Sequence, residues 1–437
     1  MTTPDEPPQP ETLRRFRRVR RSMAAGLLAS LSGSFVVAGV VPGAVAAGAL
    51  SIVWLPVIQS VETLEDMSSP AVARLLRDRN PGHVLVACEA FDAAACALAL
   101  ALIYLTPIRP AAIFIAYVLV ASAVPLFVDV AEELFTGEIA KISRGEALRF
   151  NISIYAMIGF TGSLVAKPLG SVLATAALPA ALGINLGASL VGLLLRLRSV
   201  RSMSVFDDEA PEQASDGETD EPQPKAAHPS APLGKIIGAA GPGSPAVSGL
   251  LACSTAIVTG YLAQWVVHSM AHPSGAMAAL LVATGVGATI GPYLARPATV
   301  RERFTAGAGL LLTARIAALG AILAIALMTG AGSTARFTAM LVLNAGFGAT
   351  VVASSVVQAT ARQSHYQGHA LAQAVGWSHS FAAAGTFIGV WCGLALGVQC
   401  SPVVGILLAA AVALAAMARL SPRSQTSTRD AAMATEL

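Results

Sequence analysis

The stretch Arg14-Arg15-Phe16-Arg17-Arg18-Val19-Arg20-Arg21, followed by a run without a charged side chain from Ser22 to Val61, decides how this chain is read. The basic cluster, the apolar run and the small residues Ala44-Val45-Ala46 imitate a cleavable signal peptide with twin arginines. The run continues far beyond the short apolar core of such a peptide, so it is read as an uncleaved first membrane helix. Working outward, the hydrophobic stretches divide the rest of the chain into gaps, and the gaps alternate in charge. Every second gap is basic: Arg74, Arg77 and Arg79; Lys141, Arg144 and Arg149; Arg196, Arg198, Arg201, Lys225 and Lys235; Arg296, Arg301 and Arg303; Arg362; and Arg419, Arg423 and Arg429. The intervening gaps hold only Arg109 and Arg336, while Lys167 and Arg315 fall inside apolar runs. Cytoplasmic loops of membrane proteins carry the Lys and Arg excess, so both termini are expected in the cytoplasm and the number of spans is even.

Composition excludes the competing classes. With 55% hydrophobic and 12% charged residues over 437 positions, the chain is too apolar for a soluble protein of its length. The net charge of +3 is small and gives no nucleic-acid signal. Cys88, Cys96, Cys253, Cys392 and Cys400 have no paired spacing and lie in or beside apolar runs, as packing residues do. No phosphate-cradling glycine loop, nucleophile motif or spaced metal-ligand cluster is present, so no enzyme, cofactor or metal is expected.

A span needs roughly 20 apolar residues, and about twelve such stretches are found. They are 23–42, 49–73, 83–104, 111–134, 152–175 and 178–195, then 247–269, 274–294, 305–329, 337–360, 371–397 and 401–419. Between them, residues 203–234 mix Asp207, Asp208, Glu209, Glu212, Asp216, Glu218, Asp220 and Glu221 with Pro, Ser and Gln. Such a segment cannot bury enough apolar surface to order itself. The expected fold class is an all-α integral membrane protein of twelve transmembrane helices. Its parts are a basic cytoplasmic tail (1–21), an N-terminal six-helix bundle (22–200), a disordered acidic cytoplasmic linker (201–240), a C-terminal six-helix bundle (241–420) and a cytoplasmic tail (421–437). Gly183-x-x-x-Gly187 and Gly287-x-x-x-Gly291 are expected to let helices approach closely, and Trp54 and Trp265 to anchor at the outer interface.

Three local motifs, together with six helices, a long linker and six more helices, carry a resemblance. Arg74-Leu75-Leu76-Arg77-Asp78-Arg79-Asn80-Pro81-Gly82-His83 is similar to the Gly-x-Leu-x-Asp-Arg-x-Gly-Arg-Arg loop that follows the second helix in the major facilitator superfamily. Asp78 and Arg79 are retained, whereas Arg74 replaces the leading Gly and Gly82-His83 the closing basic pair. Arg144 to Asn151, leading into Gly159, Gly162, Pro168 and Gly170, resembles the fourth loop and fifth helix of the drug and siderophore exporters of that superfamily, with Lys167 where they place a Gly before the proline. Gln367-Gly368-His369-Ala370 is similar to a small turn of the same branch. The resemblance implies a gating loop at Asp78 and Arg79. It also implies alternating access to a cavity between two bundles, usually driven by a proton gradient.

Acids at helical spacing lie within three successive stretches: Glu62, Glu65 and Asp66; Glu89 and Asp92; Asp129, Glu132 and Glu133. Positions i, i+3 and i+4 share a helix face, and a carboxylate facing lipid costs on the order of 3 kcal/mol, so the stripes should face each other or water. Three roles are open for Glu62, Glu65, Asp66, Glu89, Asp92 and Asp129. They could pair with Arg74, Arg77, Arg79, Lys141 or Arg149 as an inner gate, carry a coupling proton, or ligate a hard divalent cation. Splitting residues 22–61 into two helices would instead place Glu62, Glu65 and Asp66 in a solvated loop. In the C-terminal half no acid falls in a span, so Arg315 needs a carbonyl, an anionic substrate or an acid from the other half. Lys167, Arg315, Asn344 and His379 are the candidate cavity residues. Low aromatic content speaks against a cage for quaternary amines, and the acid-rich helices speak for a cationic or zwitterionic compound.

The expected function is secondary active export of a small organic compound from the cytoplasmic membrane by a monomer, in contact with lipid and in exchange for protons. An importer of the same fold, or a non-transporting membrane scaffold that retains it, are the alternatives.

Overall fold

The computed structural model describes residues 10–76, 79–142, 144–176, 178–208, 233–270, 272–300, 303–327, 334–366, 368–399 and 402–420. Among these residues the regular secondary structure is helical throughout. The N-terminal half comprises α1 (Pro10–Ala46), α2 (Trp54–Asp66), α3 (Ser69–Leu76), α4 (Pro81–Leu105), α5 (Pro110–Ala121), α6 (Ala123–Ile142), α7 (Arg144–Ile158), a π-helical stretch (Gly159–Ala166), α8 (Lys167–Ala176) and α9 (Leu178–Asp208). A short α10 (Leu233–Ile237) precedes α11 (Pro245–Ser269), α12 (Pro273–Val300), α13 (Phe304–Leu327), α14 (Thr334–His365), α15 (Gly368–Gln399) and α16 (Pro402–Leu420). Eleven of these stretches are long and apolar enough to cross a membrane. The chain is an integral membrane protein, because backbone polar groups in hydrocarbon can be satisfied only within such helices or a closed barrel.

Local sequence explains the punctuation. Proline at the first helical position opens α4, α5, α11, α12 and α16, where its missing N–H is an orphan in any case. Asn80 and Ser244 cap α4 and α11 by accepting from the backbone N–H of Gly82 (2.9 Å) and Val247 (3.4 Å). Gly48, at φ 74°, occupies a left-handed conformation just past the end of α1. Pro70 cannot donate to the helix that precedes it, and α2 breaks from α3 at Met67 and Ser68. The π-helical stretch likewise runs into Pro168; there the Lys167 N–H reaches back five residues to the Gly162 carbonyl.

Each half packs around its own core. α1 lies against α8 and α9, and α4 against α6 and α9; in the other half α11 pairs with α15 and α16, and α12 and α13 with α14. Two seams join the halves: α12 runs along α7, the π-helical stretch and α8, while α15 runs along α2 and α3. The second seam is antiparallel. Trp391 donates to Ser60 (2.8 Å), Ser380 to the Met67 carbonyl (3.1 Å), and Gly376 packs on Pro70 and Ala73. The pair α2–α3 therefore travels beside α15 from one end to the other, although neither piece alone is long enough to be a span.

Several expectations need correction. Glu62, Glu65 and Asp66 sit inside α2, so the split of residues 22–61 that would put them in a loop does not occur. α9 runs to Asp208 and α14 to His365, so Arg196 and Arg362, taken as loop cations, are buried helix residues. Helix occupies both described ends of the segment expected as a linker; residues 209–232 lie outside the described residues. Trp265 is a core side chain stacked 6.2 Å from Phe337 rather than an interfacial anchor. Gly287 and Gly291 meet the α14 backbone as the spacing predicts, a Cβ on Gly291 falling 2.7 Å from the Ala349 carbonyl oxygen, whereas Gly183 and Gly187 face open space.

Gly291→Leu should therefore lower thermal stability in detergent by about 1–3 kcal/mol through overpacking, while Gly183→Leu and Gly187→Leu should leave it within about 0.5 kcal/mol.

Candidate functional site

Between the halves lies a cavity of about 390 Å³, walled mainly by α11, α14 and α15 with contributions from α2, α6, α7 and α13. Its size suits a small organic molecule. The wall is polar for a membrane interior, because Ser248, Thr255, Ser354 and Gln358 face it along α11 and α14. Most of these hydroxyls are locally satisfied: Thr255 donates to the Leu251 carbonyl (2.8 Å) and Ser354 to that of Thr350 (2.7 Å). Ser248 donates to Gln358 Oε1 at 2.7 Å, tying α11 to α14.

The floor, toward the end that carries the basic loops, is an ion triad that crosses between halves. Glu133 of α6 accepts two hydrogen bonds from Arg362 of α14, from Nε at 2.8 Å and Nη2 at 3.1 Å. His379 Nε2 of α15 lies 3.2 Å from the second carboxylate oxygen. The paired fork and carboxylate are both buried, where such a bidentate contact is strong and loss of either partner strands a charge. Just below it, Asn151 of α7 donates to Gln363 Oε1 (2.7 Å), a second bond across the seam. Asp66 and Asp129 are electrostatic neighbours of His379, and Asp129 also of Glu133. Neither aspartate has an ion-pair partner among the described residues.

The other acids do different work. Glu89 of α4 pairs with Arg196 of α9 at 3.2 Å, both almost fully buried, and Arg196 also donates to the Leu85 carbonyl (3.1 Å). Asp92, one turn on, accepts from Tyr117 (2.8 Å), Ser189 (2.7 Å) and Asn185 (3.1 Å), joining α4, α5 and α9 in one network inside the N-terminal half. Glu62 faces the field of Lys167, and Glu65 keeps one buried oxygen without a partner. Lys167 stands 4.8 Å over the Phe35 ring. Asn344 donates to Thr284 (2.8 Å) and to the Leu280 carbonyl (3.3 Å), binding α14 to α12 away from the cavity wall.

Arg315 is on the cavity wall with 1% of its surface exposed. It donates to Thr255 Oγ1 and lies 5.1 Å from the Phe347 ring centre, and its Nε has no partner. Of the proposed gating loop, Arg79 is exposed at the basic end and Asp78 lies outside the described residues. Among the described residues no three His, Cys, Asp or Glu side chains converge as a metal site.

Sequence reasoning thus placed His379 and Arg315 at the cavity but left Glu133 in an undivided stripe and Arg362 in a loop. The signal for Arg362 was available: Ala359, Thr360 and Ala361 continue the helical run past residue 360, and Glu133 was the acid in the other half needing a cation.

No protein-family model matches the chain, and no curated protein matches it. Solved structures do. The human organic anion transporter MFSD10 (TETRAN) aligns with a TM-score of 0.61 at 15% identity, over 93% of this chain and 99% of that one. A bacterial homologue of the iron transporter ferroportin, crystallised in an outward-facing state with soaked iron, aligns with a TM-score of 0.63 at 16% identity, over 92% and 98%. A further structure of a bacterial homologue of the iron transporter ferroportin in outward-facing state gives 0.59 at 16% identity, over 92% and 98%. The chain has the fold of the major facilitator transporters.

Because Glu133 and Arg362 are buried together, Glu133→Ala and Arg362→Ala should each cost about 3–5 kcal/mol of stability, and the double variant clearly less than their sum. Additive losses in a double-mutant cycle followed by thermal unfolding would remove the pair as a joint between the halves.

Proposed function

We propose that this chain is a secondary active exporter of a small organic compound in the cytoplasmic membrane, working by alternating access and exchanging its cargo for protons. In this account α2 and α3 together make the twelfth span, six spans lie on each side of the acidic segment near 201–240, and the basic end with both termini is cytoplasmic. The protein acts as a monomer.

The observation that carries the proposal is the cluster at the cavity floor, where Glu133 of α6 binds Arg362 and His379 from the other half and Asp66 of α2 and Asp129 of α6 lie within the electrostatic reach of His379. With the bridge formed, the cavity is cut off from the basic end. A proton reaching Asp66 or Asp129 through the cavity withdraws part of the negative field that holds Arg362 and His379 to α6. That shifts the balance toward the state in which the basic end parts. Parting exposes Glu133 to the cytoplasm, where the cluster releases its proton, takes cargo and closes again. Glu89 and Asp92 act in packing, since their charges are already met inside one bundle. Arg79 and Asp78 act at the loop that limits how far α3 and α4 move. The fold shared with an organic anion transporter and an iron transporter homologue supports a carrier.

Inverted membrane vesicles acidified inside give the test, with a pH-sensitive dye reporting collapse of the gradient as a panel of small organic compounds is added. A compound that discharges the gradient in the wild type should fail to do so with Asp66→Asn or Asp129→Asn, while Glu89→Gln and Asp92→Asn should affect stability before coupling. Coupling that survives in both aspartate variants overturns the proton assignment. Cargo moving out of these vesicles shows an importer. No discharge by any compound, with no change in cysteine accessibility on the two sides of the cavity, points to a non-transporting scaffold.

A further inference from the structure

We infer that the cavity holds its cargo by an acidic group, a carboxylate, sulfonate or phosphate, on the guanidinium of Arg315; this rests on the carrier function proposed above and specifies its substrate class. An ionised side chain within a bilayer is costly unless something meets its charge. Glu89 is met by Arg196, Asp92 by Tyr117, Asn185 and Ser189, and Glu133 by Arg362 and His379. Arg315 has no carboxylate within ion-pair distance among the described residues, and no acid of the C-terminal half falls in a span. A guanidinium carries five N–H donors in a planar fork, of which the Thr255 hydroxyl accepts from one nitrogen and the Phe347 ring covers a face. The Nε donor is buried without a partner on the wall of a cavity of about 390 Å³.

That arrangement is half of a bidentate site. Thr255 holds one nitrogen of the fork, the guanidinium carbon lies over the Phe347 ring, and the remaining donors are those that two oxygens of an anionic group would occupy. Gln358 stands on the same wall with its carbonyl oxygen taken by Ser248, so it has its NH2 to offer a further acceptor. The acid within the cavity wall, Glu133, is already neutralised by its two partners and leaves the Arg315 side the positive one. Of the acids that pointed to a cationic or zwitterionic cargo, Glu89 and Asp92 are met inside the N-terminal half and line no part of this cavity.

The experiment uses the full chain in lipid nanodiscs with benzoate, succinate, benzenesulfonate and phenyl phosphate as anionic probes, and benzylamine and tetraethylammonium as cationic controls. At least one anion should raise the melting temperature saturably and neither cation should. The apparent Kd should weaken at least tenfold in Arg315→Gln. Arg315→Lys, which keeps the charge but not the fork, should weaken it less, and Thr255→Val by a few-fold. Each variant must elute as a single species, and Thr255→Val keeps the question answerable if Arg315→Gln misfolds. No stabilising anion, a shift unchanged in both Arg315 variants and in Thr255→Val, or stabilisation by the cations alone would overturn the inference. Anion binding without gradient discharge would instead count against the carrier proposal and leave this site standing; proton-linked movement of a cation would do the reverse.

Discussion

A charge inside a bilayer has to be met by another group, and the buried bridge from Glu133 to Arg362 is where that requirement spans the two halves of the molecule. Two other buried acids are met within one bundle. Glu89 and Arg196 lock α4 to α9, and Asp92 gathers α4, α5 and α9 through three neutral donors. Those contacts tie three helices of the N-terminal half together. The Glu133 bridge, shared with His379, is of another kind, since its partners belong to different halves. Breaking it in place would strand two charges, so the joint is strong while dry and weak once water or a proton reaches it.

The seams around this joint are surfaces of small residues. Along α12, Gly285 and Gly159 bring backbones of the two halves into contact, and along α15 Gly376 rests on Pro70 and Ala73. Without a hydrophobic drive between helices in lipid, such small-residue surfaces hold by close packing, supplemented by the bonds from Trp391 to Ser60 and from Ser380 to the Met67 carbonyl. The interruptions fall on these seams: the break between α2 and α3 beside α15, and the π-helical stretch beside α12. Each is tied to a proline whose absent N–H the flanking backbone accommodates, which gives those helices places to bend.

The helical class, the position of nearly every span and the presence of facing acids were legible in the sequence, because hydropathy and charge sorting respond to the same bilayer that shapes the fold. What was not legible follows from the same cause. Cutting the chain at the ends of its apolar runs assigns a cation at such an end to the loop, so Arg196 and Arg362, each buried by an acid on another helix, were misplaced. Hydropathy measures a side chain's cost in lipid and is blind to a partner distant in sequence: Glu133 and Arg362 are 229 residues apart. The glycine motifs show a similar limit. Spacing alone does not distinguish Gly287 and Gly291, which face a helix, from Gly183 and Gly187, which do not. Arg315 stood out in the sequence because its half has no acid within a span; that Thr255 of α11 and Phe347 of α14 meet it depends on the fold bringing those two helices to the same side chain.

The most direct measurement is the distance between spin labels at Arg74 and His365, both exposed near the basic end on opposite halves, in protein freed of native cysteines and reconstituted in nanodiscs. If the Glu133 bridge holds that end closed, the wild type should give one short distance and Glu133→Gln a second, longer population. An unchanged distribution in Glu133→Gln, with the protein still folded, would contradict the account.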